Sequence, residues 1–179
     1  HQPRRQRQMC IRDRLQVGVR AHSLEEQQRI DDDARITTWF ARDVMAPRGG
    51  ETNWASFLEV LKGLEGPVHL TFDIDGLDGT LVPATGTPVP GGLSFWHAVQ
   101  AIEAVFSAPK ATVISADVNE IARQDGTPLT QFTAAMVATK IVGAHVSARR
   151  AGRWEKAADG RGGDRAPMHR HTFTQGTPN

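Results

Sequence analysis

Val68-His69-Leu70-Thr71-Phe72-Asp73-Ile74-Asp75 decides the fold of this chain. Val68, Leu70, Phe72 and Ile74 alternate with His69, Thr71, Asp73 and Asp75, the two-residue period of a β-strand. Both carboxylates are therefore expected to leave one face near the strand's C-terminal end. Pro67 stands immediately before the stretch and blocks any helix from running into it. Gly76 to Gly92 follows as a long loop stiffened by Pro83, Pro88 and Pro90.

Outward from that strand, strands and helices alternate. Upstream, Leu15 to Arg20 reads as a short buried strand, and Ser23 with Glu26 three residues later is a capping box for a helix running to about Ala34. Ile36 to Phe40 is a second strand. Gly49-Gly50 breaks the chain before Trp54, Phe57, Leu58, Leu61 and Leu64, which recur at helical spacing up to Gly66. Downstream, Ser94 caps a helix with Trp96, Val99, Ile102, Val105 and Phe106 on its apolar face, and Ala111 to Val118 is strand-like. Phe132, Met136, Thr139, Val142 and Gly143 mark the packing side of a last helix. The order predicts an α/β fold with a mostly parallel sheet and right-handed crossovers. Ligands of such sheets sit beyond the carboxyl ends of the strands, so Asp73, Asp75 and Glu120 are expected to converge on one crevice.

Composition narrows the partners. The 179 residues, 39% hydrophobic, supply one core. Basic and acidic side chains number 21 and 20, a balance that calls for neither nucleic acid nor a membrane surface. No apolar run approaches the roughly 20 residues of a membrane span, and Cys10 has no second cysteine to pair with, so a cytoplasmic protein is expected. Residues 1–14 lack periodicity and are expected to be non-native or disordered; Met9-Cys10-Ile11-Arg12-Asp13-Arg14 resembles translated sequencing adapter. Residues 149–179 are polar and rich in Arg, Gly and Pro, and disorder is expected there too. The domain is then 15–148.

Two carboxylates one residue apart offer four hard oxygens suited to Mg or Mn, although Asp-x-Asp also serves simply to cap turns. Pro83 to Leu93 sets rigid prolines against permissive glycines, which suits a loop holding one shape near a ligand; an ordinary crossover loop is the plainer reading. Phe72 to Gly76 also resembles the nucleophile motif of haloacid-dehalogenase-type phosphatases, with Asp73 as nucleophile and Asp75 as acid/base. Against that, Leu77 stands where those enzymes place Thr or Val, and the Pro-Gly loop is left unexplained.

Thr71 to Asp78, combined with Thr85-Gly86-Thr87-Pro88, resembles a signature of the ureohydrolases, the arginase and agmatinase family. Ala116-Asp117-Val118-Asn119-Glu120 resembles the segment carrying that family's guanidinium-binding Glu. The resemblance runs from about Leu15 to Ala148, the C-terminal half of the domain. It implies a three-layer α/β/α arginase-like fold truncated on its N-terminal side, in a homo-oligomer. It further implies that Asp73 and Asp75 are ligands of a cluster of two Mn2+ ions, that Glu120 pairs with a small guanidino substrate, and that Thr85 and Thr87 line the pocket. The implied reaction is hydrolysis to urea and an amine, with agmatine to putrescine the first choice and arginine to ornithine the second. Asp78 is followed by Gly79 where many relatives have Pro. The family's other ligands lie in Gly-Gly-Asp-His and Asp-Ala-His-x-Asp motifs, which occur nowhere in the chain. The chain alone is therefore expected to be inactive, and a non-catalytic interaction domain is the rival of another class. Among the histidines, His69 reads as a satisfied core residue, His97 as solvent-facing and His145 as a helix-dipole partner, while His169 and His171 fall in the tail.

Overall fold

A computed structural model describes residues 11–123, 126–153 and 168–173. In chain order they form β1 (Ile11–Val19), α1 (Leu24–Asp32), β2 (Ile36–Phe40), α2 (Ala41–Val44), α3 (Gly50–Lys62), β3 (Glu65–Asp73), α4 (Phe95–Ser107), β4 (Lys110–Asn119), α5 (Leu129–Arg150) and β5 (Met168–Phe173). The strands make one sheet, parallel throughout, in the order β2-β1-β5-β3-β4. The α/β reading with a parallel sheet holds. No helix among the described residues is long and apolar enough to cross a membrane.

Local chemistry starts the helices where the sequence marks them. At α1 the Ser23 hydroxyl accepts from the Glu26 N–H and the Glu26 carboxylate accepts from the Ser23 N–H at 2.7 Å, closing the capping box. At α4 the same box is built with a histidine: Ser94 N–H donates to His97 Nδ1 at 3.3 Å, and Ser94 Oγ accepts from His97 N–H. The ring also meets Trp54 edge-on at 4.6 Å, and burial pulls its pKa down. His97 is thus half-buried and structural, not solvent-facing. Trp96 is the residue that faces out, 67% exposed, while Val99, Ile102, Val105 and Phe106 are buried with Ala98, Ala101 and Ala104.

Packing explains the other differences. α3 packs on α4 and α4 on α5, enclosing Phe57, Leu61, Leu70, Phe72, Ile102 and Val137. On α5 the buried stripe is Thr130, Ala134, Val137, Ile141 and Ala148, whereas Phe132 and Val142 are 68% and 61% exposed. That helix is apolar on more than one side, and the stripe from Ala134 through Ile141 to Ala148 packs inward while Phe132 and Val142 do not.

Both termini depart from expectation as well. β1 begins at Ile11, inside the segment read as non-native, and residues 1–10 lie outside the described residues. In the tail read as disordered, Met168–Phe173 forms β5 in the middle of the sheet, paired with β1 on one side and β3 on the other. Composition argued against a packed core there. Strand pairing is a main-chain interaction, however, and the slot between β1 and β3 offers unpaired N–H and C=O groups on both sides.

Candidate active site

The expected alternation stops two residues early. β3 ends at Asp73, and Ile74–Gly76 turns as a short 3-10 helix that drives Ile74 fully into the core. Asp75 follows it inward and is only 2% exposed. Its Oδ2 accepts a 2.5 Å hydrogen bond from Thr87 Oγ1, while Oδ1 is buried without a hydrogen-bond partner. Such an oxygen is costly unless a donor or a cation satisfies it.

Asp73 lies alongside. Burial, reinforced by the charges of Asp75 and Glu120, pushes its carboxyl up to about 7, against a hydrogen bond from Asn119 that works the other way. Asp75 is raised too, chiefly by burial, with Thr87's bond opposing and Glu120 adding to the rise. Glu120 stands one residue past β4, exposed, with φ 62° in the left-handed region that favours glycine. Backbone strain of that kind is retained where the surroundings impose it. The structure thus brings three acids within electrostatic reach of one another at the carboxyl edge of the sheet.

The proline-glycine loop is held to this edge through the main chain of Ala84. Ala84 N–H donates to Thr130 Oγ1 on α5 at 2.8 Å, and Ala122 N–H, just beyond Glu120, donates to Ala84 O at 3.0 Å. Thr85 Oγ1 is buried with no hydrogen-bond partner. Asp78 Oδ2 accepts from the N–H groups of Gly91 and Gly92 at 2.6 and 3.2 Å, and its Oδ1 binds Thr80, which holds the carboxyl below its usual range. Gly92 has no alternative: a Cβ there would lie 2.5 Å from Leu77 C and 2.6 Å from Asp78 N.

His69 is spoken for. Its Nδ1 is 2.6 Å from Ser115 Oγ and its Nε2 is 3.2 Å from Asp117 Oδ2, whose other oxygen accepts from Asn119 Nδ2 at 2.7 Å. Among the described residues no group of three or more His, Cys, Asp or Glu is placed to hold a metal ion. The donors present suit a hard divalent cation in kind, through the unpartnered oxygen of Asp75 and the crowded charge of Asp73, and are too few to enclose one. Arg20 reaches into the same turn without any signal in the residue order, because hydrogen bonds to main-chain carbonyls leave no mark on their partners' side chains.

The chain is 35% identical over 103 residues to N(1)-aminopropylagmatine ureohydrolase of Thermococcus kodakarensis, covering 58% of this chain and 35% of that protein. It is 36% identical over 91 residues to agmatinase of Pyrococcus horikoshii, covering 51% and 31%. The crystal structure of arginase from Bacillus caldovelox superimposes with a TM-score of 0.60 at 28% identity, covering 72% of this chain and 42% of that one. The chain therefore spans about a third of the length of these curated relatives. β5 lies beyond the part matched to the family, whereas the Phe72 to Gly76 segment behind the phosphatase reading lies within it. Residues 4–143 match the Arginase family, and with the arginase fold found around the same sheet the chain belongs to that family.

Proposed function

We propose that the chain is the C-terminal part of a manganese-dependent ureohydrolase that hydrolyses a small guanidino compound to urea and an amine, with agmatine ahead of arginine. The observation that carries this is the buried, unpartnered Oδ1 of Asp75 beside Asp73 and Glu120. Asp73 and Asp75 would hold Mn2+, which when bound would supply Lewis-acid activation of water at neutral pH. Thr87 fixes Asp75 by its hydrogen bond, leaving Oδ1 for the metal. Glu120 presents a carboxylate to the planar guanidinium, whose N–H groups suit paired, charge-assisted hydrogen bonds. Thr85 and Thr87 line the pocket from the loop. Agmatine is preferred because the two relatives above carry agmatine-type names; the arginase superposition supports arginine as the second choice.

The non-catalytic reading draws on the missing third ligand among the described residues. In the full-length protein, Asp75→Asn should lower Mn content and urea release together. Unchanged Mn content would remove Asp75 from the ligands. Urea released by the 179-residue chain itself, supplied with excess Mn and compared with a metal-only control, would show that other residues complete the site.

A further inference from the structure

β5 reaches only part of the way up the sheet. Its last pairs are Thr172 with Gln16 of β1 and Phe173 with Phe72 of β3. Above that level β1 and the turn after β3 meet each other directly. Gly18, at φ 87°, makes the approach possible: a Cβ there would stand 3.3 Å from Gly76 O. The β1–β2 register slips at the same point, between Val17 and Val19, and the chain then delivers Arg20 over the strand ends.

The Arg20 guanidinium lies within hydrogen-bond distance of five main-chain carbonyls. Nη1 donates to Gly18 O at 3.0 Å and Gly76 O at 3.2 Å; Nη2 donates to Asp75 O at 2.8 Å, Val89 O at 2.9 Å and Leu77 O at 3.2 Å. Two different segments are joined by that one group. Asp75, Gly76 and Leu77 are the turn that carries the buried carboxylate, and Val89 closes the loop that carries Thr85 and Thr87. Gly79 N–H also donates to Val89 O at 3.2 Å, so the same carbonyl serves both anchors.

We infer that Arg20 is a positioning residue of the metal-binding edge: it sets the register between the Asp75 turn and the Thr87 loop, so that Thr87 meets one oxygen of Asp75 and leaves the other for the metal. This rests on the manganese reading above. A planar fork is required, because the carbonyls converge from several directions, and an ammonium is a single point that reaches only a subset of them.

The test measures Mn2+ affinity in the full-length protein by the electron paramagnetic resonance of free and bound Mn2+, at a temperature well below unfolding. Arg20→Lys keeps the charge and is expected to weaken Mn2+ binding by ~10-fold or more and to alter the bound-ion spectrum. Arg153→Lys, at a remote arginine that donates to Phe106 O at 3.2 Å, should change neither. An Arg20→Lys protein with a lower unfolding midpoint and wild-type Mn2+ affinity would make Arg20 an ordinary structural anchor and overturn the inference. Should that variant not fold, Arg20→Gln keeps an amide donor that cannot span both segments; reduced affinity supports the inference and unchanged affinity overturns it. Asp75→Asn is run in parallel. Loss of binding there with full binding in Arg20→Lys sinks only the role of Arg20, whereas full binding in both removes the manganese reading and this inference with it.

Discussion

Replacing Asp73 by Asn should stabilise the metal-free protein at alkaline pH while destroying its proposed function. The Asp73 carboxyl rises from 3.8 to about 7 on folding, chiefly through burial and then through the charges of Asp75 and Glu120. Between about pH 4 and pH 7 the folded chain keeps a proton that the unfolded chain has released, so stability falls as pH rises and levels off above 7. A shift of about three units corresponds to about 4 kcal/mol; because Asp73 is partly open to solvent, screening brings the expected effect to about 2 kcal/mol. Asn cannot ionise. With chelator present, urea unfolding at pH 8 should show the variant more stable than wild type by about that amount, and the two curves should converge near pH 4. In the full-length protein, adding Mn2+ should then stabilise the wild type and leave the variant unchanged. A variant that is no more stable than wild type at pH 8 would refute the argument that burial, reinforced by the neighbouring acids, makes the ionised Asp73 costly.

Two further expectations concern the neighbouring segments. Glu120→Gln in the full-length protein should keep its Mn content and lose ~10²-fold in kcat/KM, roughly 3 kcal/mol of transition-state stabilisation; loss of Mn would make Glu120 a metal ligand instead. Gly92→Ala forces a methyl group against Leu77 C and Asp78 N at 2.5 and 2.6 Å, so urea unfolding should report a loss of about 1–3 kcal/mol. An unchanged midpoint would show that the turn yields at no cost.

Much of this edge could be read from residue order because it rests on periodicity. Val68, Leu70 and Phe72 announce a strand by alternation, and their burial follows. Asp75 falls outside the strand because the chain turns at Ile74–Gly76 and carries that carboxylate inward, a turn that alternation does not encode. On α5, Phe132 and Val142 look like core residues by type, yet close helix packing selects Ala134 and Val137. The Ser94 cap was legible, and its partner His97 was not, since a glutamate is the residue usually sought three positions on. Arg20 and β5 stayed hidden for one reason: each engages main-chain atoms, which every residue carries alike.

The central position of β5 has a consequence for synthesis. β3 and β4 leave the ribosome long before Met168–Phe173, and until that segment arrives β1 and β3 each present an open edge to whatever strand is nearby. At roughly 5–20 residues per second the interval is on the order of ten seconds, long enough for an edge to find a wrong partner. We expect nascent chains arrested before Met168 to be cut readily by protease between the two half-sheets, and chains arrested well beyond Phe173 to resist; equal resistance at both lengths would show that the half-sheets close without β5. Vectorial folding would then leave the two half-sheets apart until β5 has emerged.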